Sequence, residues 1–334
     1  MKKQTILKSV IIGMIGMAAS TKAMAEVDPN FYIYLCIGQS NMEGQGVIYA
    51  ADKEVDERFL MMSPINYGGR EAGVWEKAVP PICRYDTGLC PADYFGRKLL
   101  ENLPQEARVG VINVSIAGCG IDTFHPENYA SYLKSWAVEL WQTQRVEAYD
   151  SNPLGKLIAA AKLAQESGVI RGILLHQGET DAYNDQWVTK VQRIYEYILD
   201  ELGFSAEDVP LLAGEVVGAD QSGVCASANT TINKLPQKIS TAYVISSKGC
   251  KAGSDNLHFT SAGYRELGRR YGTKAIELLG VETGISQPKP ATNGGQAIYS
   301  ADGLRQNQMQ RGLNIVREKD GTVRKVYGRP GWTL

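Results

Sequence analysis

The sequence predicts an α/β fold in which a doubly wound, mainly parallel five-stranded sheet has helices on both faces. Three observations predict it: short apolar segments recur along the chain, longer helical patterns separate them, and the apolar segments are nearly continuous. Continuous apolar strands are typical of parallel sheets that are buried on both faces. The 334 residues, of which 44% are hydrophobic, suffice for one large domain and a small appendage.

The predicted strands and helices alternate along most of the chain. The five strands are predicted at 31–37, 109–114, 170–175, 209–213 and 243–245. The five helices are predicted at 91–102, 154–167, 186–202, 232–239 and 261–279. Thr260 and Ser261 can cap the last helix, and Gly280 can end it. In such folds, ligands bind at the carboxyl ends of the strands.

The N-terminus has the pattern of a secretory signal peptide over residues 1–25. The chain starts with Met1-Lys2-Lys3, an apolar run extends from about residue 9 to residue 19, and small residues at Ala23 and Ala25 suit a cleavage site. The run is shorter than a bilayer-spanning helix needs, and no cysteine stands at the cleavage site to carry a lipid. We therefore expect an exported protein, periplasmic, cell-surface or secreted, without a membrane span.

The remaining chain is predicted to comprise a catalytic domain (26–283), a linker rich in Pro, Gly and Asn (284–296) and a small β tail (297–334). The tail loosely resembles the C-terminal sorting segments of bacterial proteins exported by the type nine secretion route. An ordinary edge hairpin is the competing interpretation.

Composition restricts the partners. A formal net charge of −1 gives no electrostatic footprint for nucleic acid or an anionic membrane. No His or Cys cluster has metal-binding spacing, so neither a metal nor an organic cofactor is expected. Six cysteines in an exported chain permit disulfides. Cys83 with Cys90 and Cys225 with Cys250 are the predicted bridges, whereas the two remaining cysteines, at positions 36 and 119, are predicted to be buried free thiols.

A long stretch from 48 to 90 follows the first predicted strand and contains no predicted element. Long loops inside compact domains are usually functional, so this one is a candidate substrate-facing wall. Trp75, Tyr67 and Tyr85 could stack on a sugar ring there. The alternative is that these rings pin the loop to the core.

A serine stands on a tight turn directly after the first predicted strand, in Gly38-Gln39-Ser40-Asn41-Met42. A hydroxyl there faces the crevice at the sheet edge, and the following helical turn can point N–H groups at negative charge. Taken alone, a helix-capping serine is the simpler interpretation.

The chain contains only three histidines, and His258 is the one beyond the fifth predicted strand. Asp255 precedes it by three residues, so its carboxylate can turn back to accept the Nδ1–H and leave Nε2 as a base. His125 is expected to be structural or exposed to solvent. His176 either shapes a site or is a core histidine bonded to backbone.

Four segments, in this order, resemble the four conserved blocks of the SGNH hydrolases: 38–42, Ala117-Gly118-Cys119-Gly120, His176-Gln177-Gly178-Glu179, and Asp255-x-x-His258. Each block alone is weak, but four in order at predicted strand ends make a strong joint signal. More narrowly, the chain resembles the sialate O-acetylesterase-like branch, which includes the acetylxylan esterases of carbohydrate esterase family six. The resemblance covers about residues 31–279 and implies a flavodoxin-like SGNH fold.

The resemblance also implies roles for particular residues. Ser40 would be the nucleophile and His258 the base. The oxyanion hole would comprise the backbone N–H of Ser40, the backbone N–H of Gly118 and the side-chain amide of Gln177. Gln39 and Gln177 stand where the broad superfamily has Asp and Asn, and both changes suit the acetylesterase branch.

The acid that orients the histidine has two candidates. Asp255 is favoured because its place in the sequence keeps it near His258. Glu179 could share or take over the role, or hold loops together.

The resemblance implies a serine carbohydrate esterase that removes O-acetyl groups, with acetylated xylan or xylo-oligosaccharide as the expected substrate. A sialate O-acetylesterase is the near alternative, for which Arg70 or Arg84 could hold the carboxylate of the sugar acid. A non-catalytic carbohydrate-binding protein on the same fold is the alternative of another class.

Overall fold

The computed structural model describes residues 27–280, 297–300, 305–306, 309–310, 312–317 and 323–328. The chain divides into two compact units, 1–280 and 281–334, which are described separately below. The predicted signal peptide (1–25) and the predicted linker (284–296) lie outside the described residues.

The first unit is built on a seven-stranded sheet, and this confirms the predicted α/β class. Its strands are β1 (Phe31–Gly38), β2 (Phe59–Met62), β3 (Trp75–Lys77), β4 (Arg108–Ser115), β5 (Val169–His176), β6 (Leu211–Gly214) and β7 (Ala242–Ile245). Their order across the sheet is β3-β2-β4-β1-β5-β6-β7. All neighbouring pairs are parallel except β2 with β3.

The predicted strand count of five was too low. The two additional strands, β2 and β3, lie inside the 48–90 stretch that had no predicted element. They have four and three residues, which is too short for a periodic pattern to appear in the sequence. β2 is defined by its pairing with β4, a contact that the local sequence does not show.

Nine α-helices accompany the sheet within the described residues. They are α1 (Ser40–Glu43), α2 (Pro91–Leu100), α3 (Tyr129–Trp136), α4 (Leu140–Ala148), α5 (Pro153–Ala164), α6 (Trp187–Leu202), α7 (Ala228–Ile232), α8 (Leu235–Lys238) and α9 (Ser261–Leu279). Four of the five predicted helices match α2, α5, α6 and α9, and the fifth is divided between α7 and α8. Thr260 Oγ1 caps α9 by accepting from the N–H of Gly263 at 3.2 Å. None of the described helices is long and apolar enough to cross a membrane.

Helices cover both faces of the sheet, and β1 shows why its sequence is apolar throughout. Ile33, Leu35 and Ile37 point into the large core that α5 and α6 complete. Tyr34 points to the opposite face, where its ring meets Phe95 of α2 edge-on at 4.6 Å between centroids. The strand is therefore buried on both sides, with its carboxyl end at one rim of the sheet.

All six cysteines are free, so the predicted bridges are wrong. Cys83 Sγ lies 3.6 Å from the carbonyl oxygen of Ser115 on β4, inside the core rather than in a solvent-facing loop. Cys90 is buried at the start of α2. Cys36 and Cys119 are buried free thiols, as predicted. A polar stretch between two cysteines therefore gave the wrong pairing, because the tertiary packing directs the side chains elsewhere.

The second unit contains an antiparallel sheet in the order β11-β10-β8-β9. Its strands are β8 (Ala297–Ser300), β9 (Arg305–Gln306), β10 (Gly312–Arg317) and β11 (Val323–Gly328). β10 and β11 form the predicted hairpin. Within it Asn314 is buried, and its side chain exchanges two hydrogen bonds with the backbone of Gln310 at 2.7 and 2.9 Å. A sorting role for this unit stays a prediction.

Candidate active site

The site begins where β1 ends and α1 begins. Gly38 pairs with His176 of β5, and a Cβ on Gly38 would lie 2.1 Å from the carbonyl oxygen of His176. Only glycine therefore allows the two strands to approach this closely. The chain then turns sharply, and Ser40, which is 5% exposed, starts α1 at the carboxyl rim of the sheet.

Ser40 meets His258 and Asp255 in a continuous chain of hydrogen bonds. Ser40 Oγ lies 2.8 Å from His258 Nε2, and His258 Nδ1 lies 2.6 Å from Asp255 Oδ2. The carboxylate fixes the proton on Nδ1, so Nε2 is left to accept the hydroxyl proton. The three predicted residues thus come together in the order that a serine nucleophile requires.

The loop around His258 holds the carboxylate in place. Asp255 Oδ1 accepts from the backbone N–H groups of Leu257 and His258, both at 3.0 Å, while Asn256 adopts a left-handed conformation with φ of 54°. Partial burial raises the pKa of Asp255, but these N–H groups and the imidazole outweigh it and lower the pKa to about 2. The carboxylate is therefore ionised over the whole working range of a histidine base.

Asn41, which the sequence analysis assigned no role, holds the loop around His258 (residues 255–259, the histidine loop) through two hydrogen bonds. Its Nδ2 donates to the carbonyl oxygen of Leu257 at 3.1 Å, and its Oδ1 accepts from the N–H of Phe259 at 3.4 Å. These two residues flank His258 on either side. Because Asn41 follows Ser40 directly, it couples the nucleophile turn to the base. Its position in the first block was the signal that could have identified it.

Glu179 does not orient the histidine. Its Oε1 accepts from Asn41 Nδ2 at 2.5 Å and lies 3.7 Å from His176 Nε2. Burial raises the pKa of Glu179 to about 7 and lowers the pKa of His176 to about 3, so the imidazole stays neutral. Glu179 therefore reaches the histidine loop only through Asn41, and the contact with His258 Nδ1 belongs to Asp255.

We expect Glu179→Gln to remove a pH-dependent loss of stability. Burial raises the folded-state pKa from 4.5 to about 7. Between these values the folded protein keeps a proton that the unfolded chain has lost, so wild-type stability falls as the pH rises through this window, by up to about 3 kcal/mol. Glutamine does not titrate, so the free energy of unfolding of the variant, measured in urea, should rise relative to that of the wild type from about pH 4 to about pH 8. A difference between the two proteins that does not change with pH would contradict this assignment.

Two of the three predicted oxyanion donors are available. Within the described residues, neither the N–H of Ser40 nor that of Gly118 donates a hydrogen bond to a protein group. Gly118 has φ of 71°, a left-handed conformation that glycine adopts without strain. Ile116 donates to the carbonyl oxygen of Gly38 at 3.2 Å, and Thr180 Oγ1 donates to that of Gly118 at 3.1 Å. The loop at 117–120, which we term the glycine loop, is thus fixed beside the turn at 38–42 that carries Ser40.

The third predicted donor, Gln177, is already engaged. Its Nε2 donates to Asp181 Oδ2 at 2.5 Å and to Gln39 Oε1 at 3.0 Å, and its Oε1 accepts from the indole N–H of Trp187. Both amide hydrogens are therefore used, and the side chain ties the nucleophile turn to the loop after β5. An oxyanion role for Gln177 requires one of these bonds to be given up, and it stays a prediction.

The two arginines considered for a sugar acid are bound within the protein. Arg84 is buried, forms an ion pair with Glu43 and donates to the carbonyl oxygen of Ser115 at 2.8 Å. Arg70 donates to the carbonyl oxygen of Pro81 at 2.5 Å and also forms an ion pair with Glu76 of β3. Neither guanidinium is free to receive a substrate carboxylate in this arrangement.

Trp75 and Tyr67 hold the 48–90 stretch to the core, as the alternative interpretation had it, whereas Tyr85 is 55% exposed. Trp75 packs edge-on against Phe31 at 4.8 Å. Tyr67 and Tyr85 pair with each other at 5.1 Å, and Tyr67 packs against the core. His125 also lies outside the site, and its Nδ1 is 3.1 Å from Oε2 of Glu127.

Fold and site together define an SGNH-type hydrolase, with its serine on the turn after the central strand and its histidine before the last helix of the sheet domain. The chain belongs to the carbohydrate esterase family described as sialic acid-specific acetylesterase, whose sequence model matches residues 30–277. This places it among the carboxylic ester hydrolases and confirms the predicted class and branch.

Solved structures share the fold. A protein from Arabidopsis thaliana has a TM-score of 0.56 at 18% identity and covers 75% of this chain and 99% of its own. NanS has a TM-score of 0.53 at 15% identity, covering 76% and 99%. A carbohydrate acetylesterase from Xanthomonas citri has a TM-score of 0.52 at 15% identity, covering 85% and 67%. At these identities the likeness concerns the fold alone.

One curated relative is a protein named 3-dehydroquinate synthase from Streptococcus mutans. It is 29% identical over 146 residues, which are 42% of this chain. The match spans 40% of that relative's length.

Proposed function

We propose that this protein hydrolyses O-acetyl esters of a carbohydrate through an acetyl-enzyme on Ser40. The observation that carries the proposal is the unbroken hydrogen-bond chain from Ser40 Oγ through the imidazole of His258 to the carboxylate of Asp255. Its members are not needed to bind a sugar. The alternative of a purely carbohydrate-binding protein leaves this alignment without a purpose.

In the first half of the reaction, Ser40 Oγ attacks the acetyl carbonyl carbon while His258 Nε2 takes the hydroxyl proton. The carbonyl oxygen becomes negatively charged and accepts from the N–H groups of Ser40 and Gly118. The carboxylate of Asp255 stabilises the imidazolium that forms. The tetrahedral intermediate then collapses, and His258 returns the proton to the departing sugar oxygen.

In the second half, water takes the place of the sugar. His258 removes a proton from the water as it attacks the acetyl-enzyme, and the same N–H groups again hold the oxyanion. Collapse releases acetate and returns the proton to Ser40. Every proton transfer passes through Nε2, which is why the fixed tautomer of the imidazole matters.

For the substrate, we propose acetylated xylan or its oligosaccharides. Two points support a neutral sugar: the resemblance to acetylxylan esterases, and the engagement of Arg70 and Arg84 in bonds within the protein. A sialate O-acetylesterase is the second candidate, and the description of the matching family favours it. Such an enzyme would need another cation to hold the carboxylate of the sugar acid.

Acetate release tests the proposal and separates the two candidates. Purified protein is assayed with acetylated xylo-oligosaccharides and, in parallel, with an O-acetylated sialic acid at matched ester concentration. A higher kcat/KM on the xylo-oligosaccharides supports the first candidate, and the opposite order supports the second. Acetate release from neither would contradict carbohydrate O-acetylesterase activity.

We also propose that the enzyme acts outside the cytoplasm. The signal-peptide pattern of residues 1–25 supports this location, as does a polymeric substrate that does not enter cells.

A further inference from the structure

The helix pair α3–α4 carries an aromatic cluster, Tyr132, Trp136 and Trp141, that the sequence analysis did not identify. The rings of Tyr132 and Trp136 are nearly parallel, at 15° and 6.2 Å between centroids. Trp141 meets Trp136 edge-on at 6.0 Å. The three rings therefore form one aromatic cluster, which we term the aromatic shelf.

The aromatic shelf lies against the glycine loop of the active site. A Cβ on Gly118 would lie 3.7 Å from Cη2 of Trp141 and 3.9 Å from Cζ2 of Trp136. The hydroxyl of Tyr132 accepts from the N–H of Gly120 at 2.6 Å, which fixes the shelf to the same loop. The indole rings therefore lie beside Gly118, whose N–H is a predicted oxyanion donor.

Packing explains only part of the shelf: Trp136 packs against the hydrophobic core, whereas Trp141 does not belong to that cluster. α3 buries only Leu133, and α4 buries only Val146. Trp141 remains 46% exposed and Trp136 is half-buried. Large aromatic surface left in water is unfavourable, and beside a predicted oxyanion donor it is a candidate surface for contact with the substrate.

We propose that Trp136 and Trp141 form a stacking subsite for a pyranose ring of the acetylated substrate. The inference rests on the proposed function, because it takes Gly118 as a donor to the ester oxyanion. In acetylated xylan the ester oxygen is attached directly to a ring carbon, so the ring lies close to that donor when the carbonyl oxygen is bound. One face of a pyranose presents C–H groups, and these pack on the face of an indole ring.

The role expected of the subsite is to orient the sugar, and its effect should depend on the substrate. A small ester without a ring, such as ethyl acetate, uses the nucleophile and the oxyanion donors but not the shelf. Trp141→Ala should therefore lower kcat/KM on acetylated xylo-oligosaccharides by roughly tenfold, mainly through KM, since it removes the burial of one large side chain. Its kcat/KM on ethyl acetate should stay within about twofold of the wild type.

Two variants serve as controls. Trp141→Phe keeps an aromatic face and should retain most of the activity on the oligosaccharide. Leu140→Ala removes an apolar side chain that is 74% exposed at the adjacent position but has no ring, and it should behave as the wild type. Equal losses on both substrates, no loss on either, or an equal effect of Leu140→Ala would overturn the proposal.

A binding measurement keeps this proposal separate from the catalytic one. Isothermal titration calorimetry, which does not use the indole rings as reporters, follows the response of the Ser40→Ala variant to acetylated xylo-oligosaccharide, to O-acetylated sialic acid and to ethyl acetate. A response to a sugar that is lost with Trp136→Ala and Trp141→Ala supports the shelf and identifies which pyranose it takes. No response to either sugar contradicts the shelf, whether or not the wild type cleaves ethyl acetate. Failure of the wild type to cleave any ester contradicts the proposed function instead.

Discussion

Replacing Ser40 with alanine is expected to lower kcat on ethyl acetate by about five to six orders of magnitude. The hydroxyl is the atom that forms the acetyl-enzyme, and alanine offers no nucleophile to His258, which lies 2.8 Å away in the wild type. What remains is attack by water assisted by the oxyanion donors, which is far slower. Acetate release at saturating substrate measures the loss, and the melting temperature should change little.

A second buried serine provides the control for this substitution. Ser63 donates its hydroxyl proton to the carbonyl oxygen of Ile65 at 2.6 Å and makes no hydrogen bond to the histidine. Ser63→Ala should leave kcat near the wild-type value even if it lowers stability. If Ser40→Ala kept more than about a tenth of the wild-type kcat, a role for Ser40 as nucleophile would have to be abandoned.

Replacing Asp255 with asparagine is expected to lower kcat by about four orders of magnitude. An asparagine amide in this position presents an N–H to His258 Nδ1, which then accepts, so the ring proton moves to Nε2. Nε2 can no longer take the proton of Ser40, although the geometry is nearly unchanged. Steady-state kinetics on a ring-free ester isolates this effect from substrate binding.

Glu179→Gln is the matched comparison, because it also exchanges a carboxylate for an amide near the same loop. Glu179 contacts Asn41 and not His258, so its substitution should lower kcat far less than that of Asp255. The reverse order of effects would show that Glu179 orients the imidazole. This pair of variants therefore decides between the two acids that the sequence leaves open.

The low pKa of Asp255 also sets the sign of its pH effect. Hydrogen bonds from the loop and from His258 hold the folded-state pKa near 2, below the ordinary 3.8. The resulting stabilisation is present above the ordinary value and is lost only as the pH falls through the folded-state pKa. Loss of activity on mild acidification is therefore not caused by protonation of Asp255.

Local patterns in the sequence predicted most of the large elements. The strand at 31–37 is a continuous apolar run and the helix at 261–279 is long, and both lie where the pattern placed them. The pairing of Asp255 with His258 was also predictable, because three residues of loop keep the two side chains within reach. The strands β2 and β3 were missed because they are short and depend on their neighbours in the sheet.

The helix pair α3–α4 escaped prediction for a related reason. Its buried residues are only Leu133 and Val146, too few for a helical period to appear. The cysteines show the same limit, since the spacing of Cys83 and Cys90 gave no information on the direction of their side chains. In both cases the deciding contacts come from distant parts of the chain.

The sequence by itself determined the α/β class, the positions of the main elements and the four blocks that carry the polar residues. Only the tertiary structure decided that Ser40 and His258, 218 residues apart, share a hydrogen bond. It also decided that Asn41 links Glu179 to the loop around His258 by hydrogen bonds, and that indole rings lie beside Gly118. The physical reason is that periodicity records which residues are buried, whereas the order of strands across the sheet determines which distant residues meet.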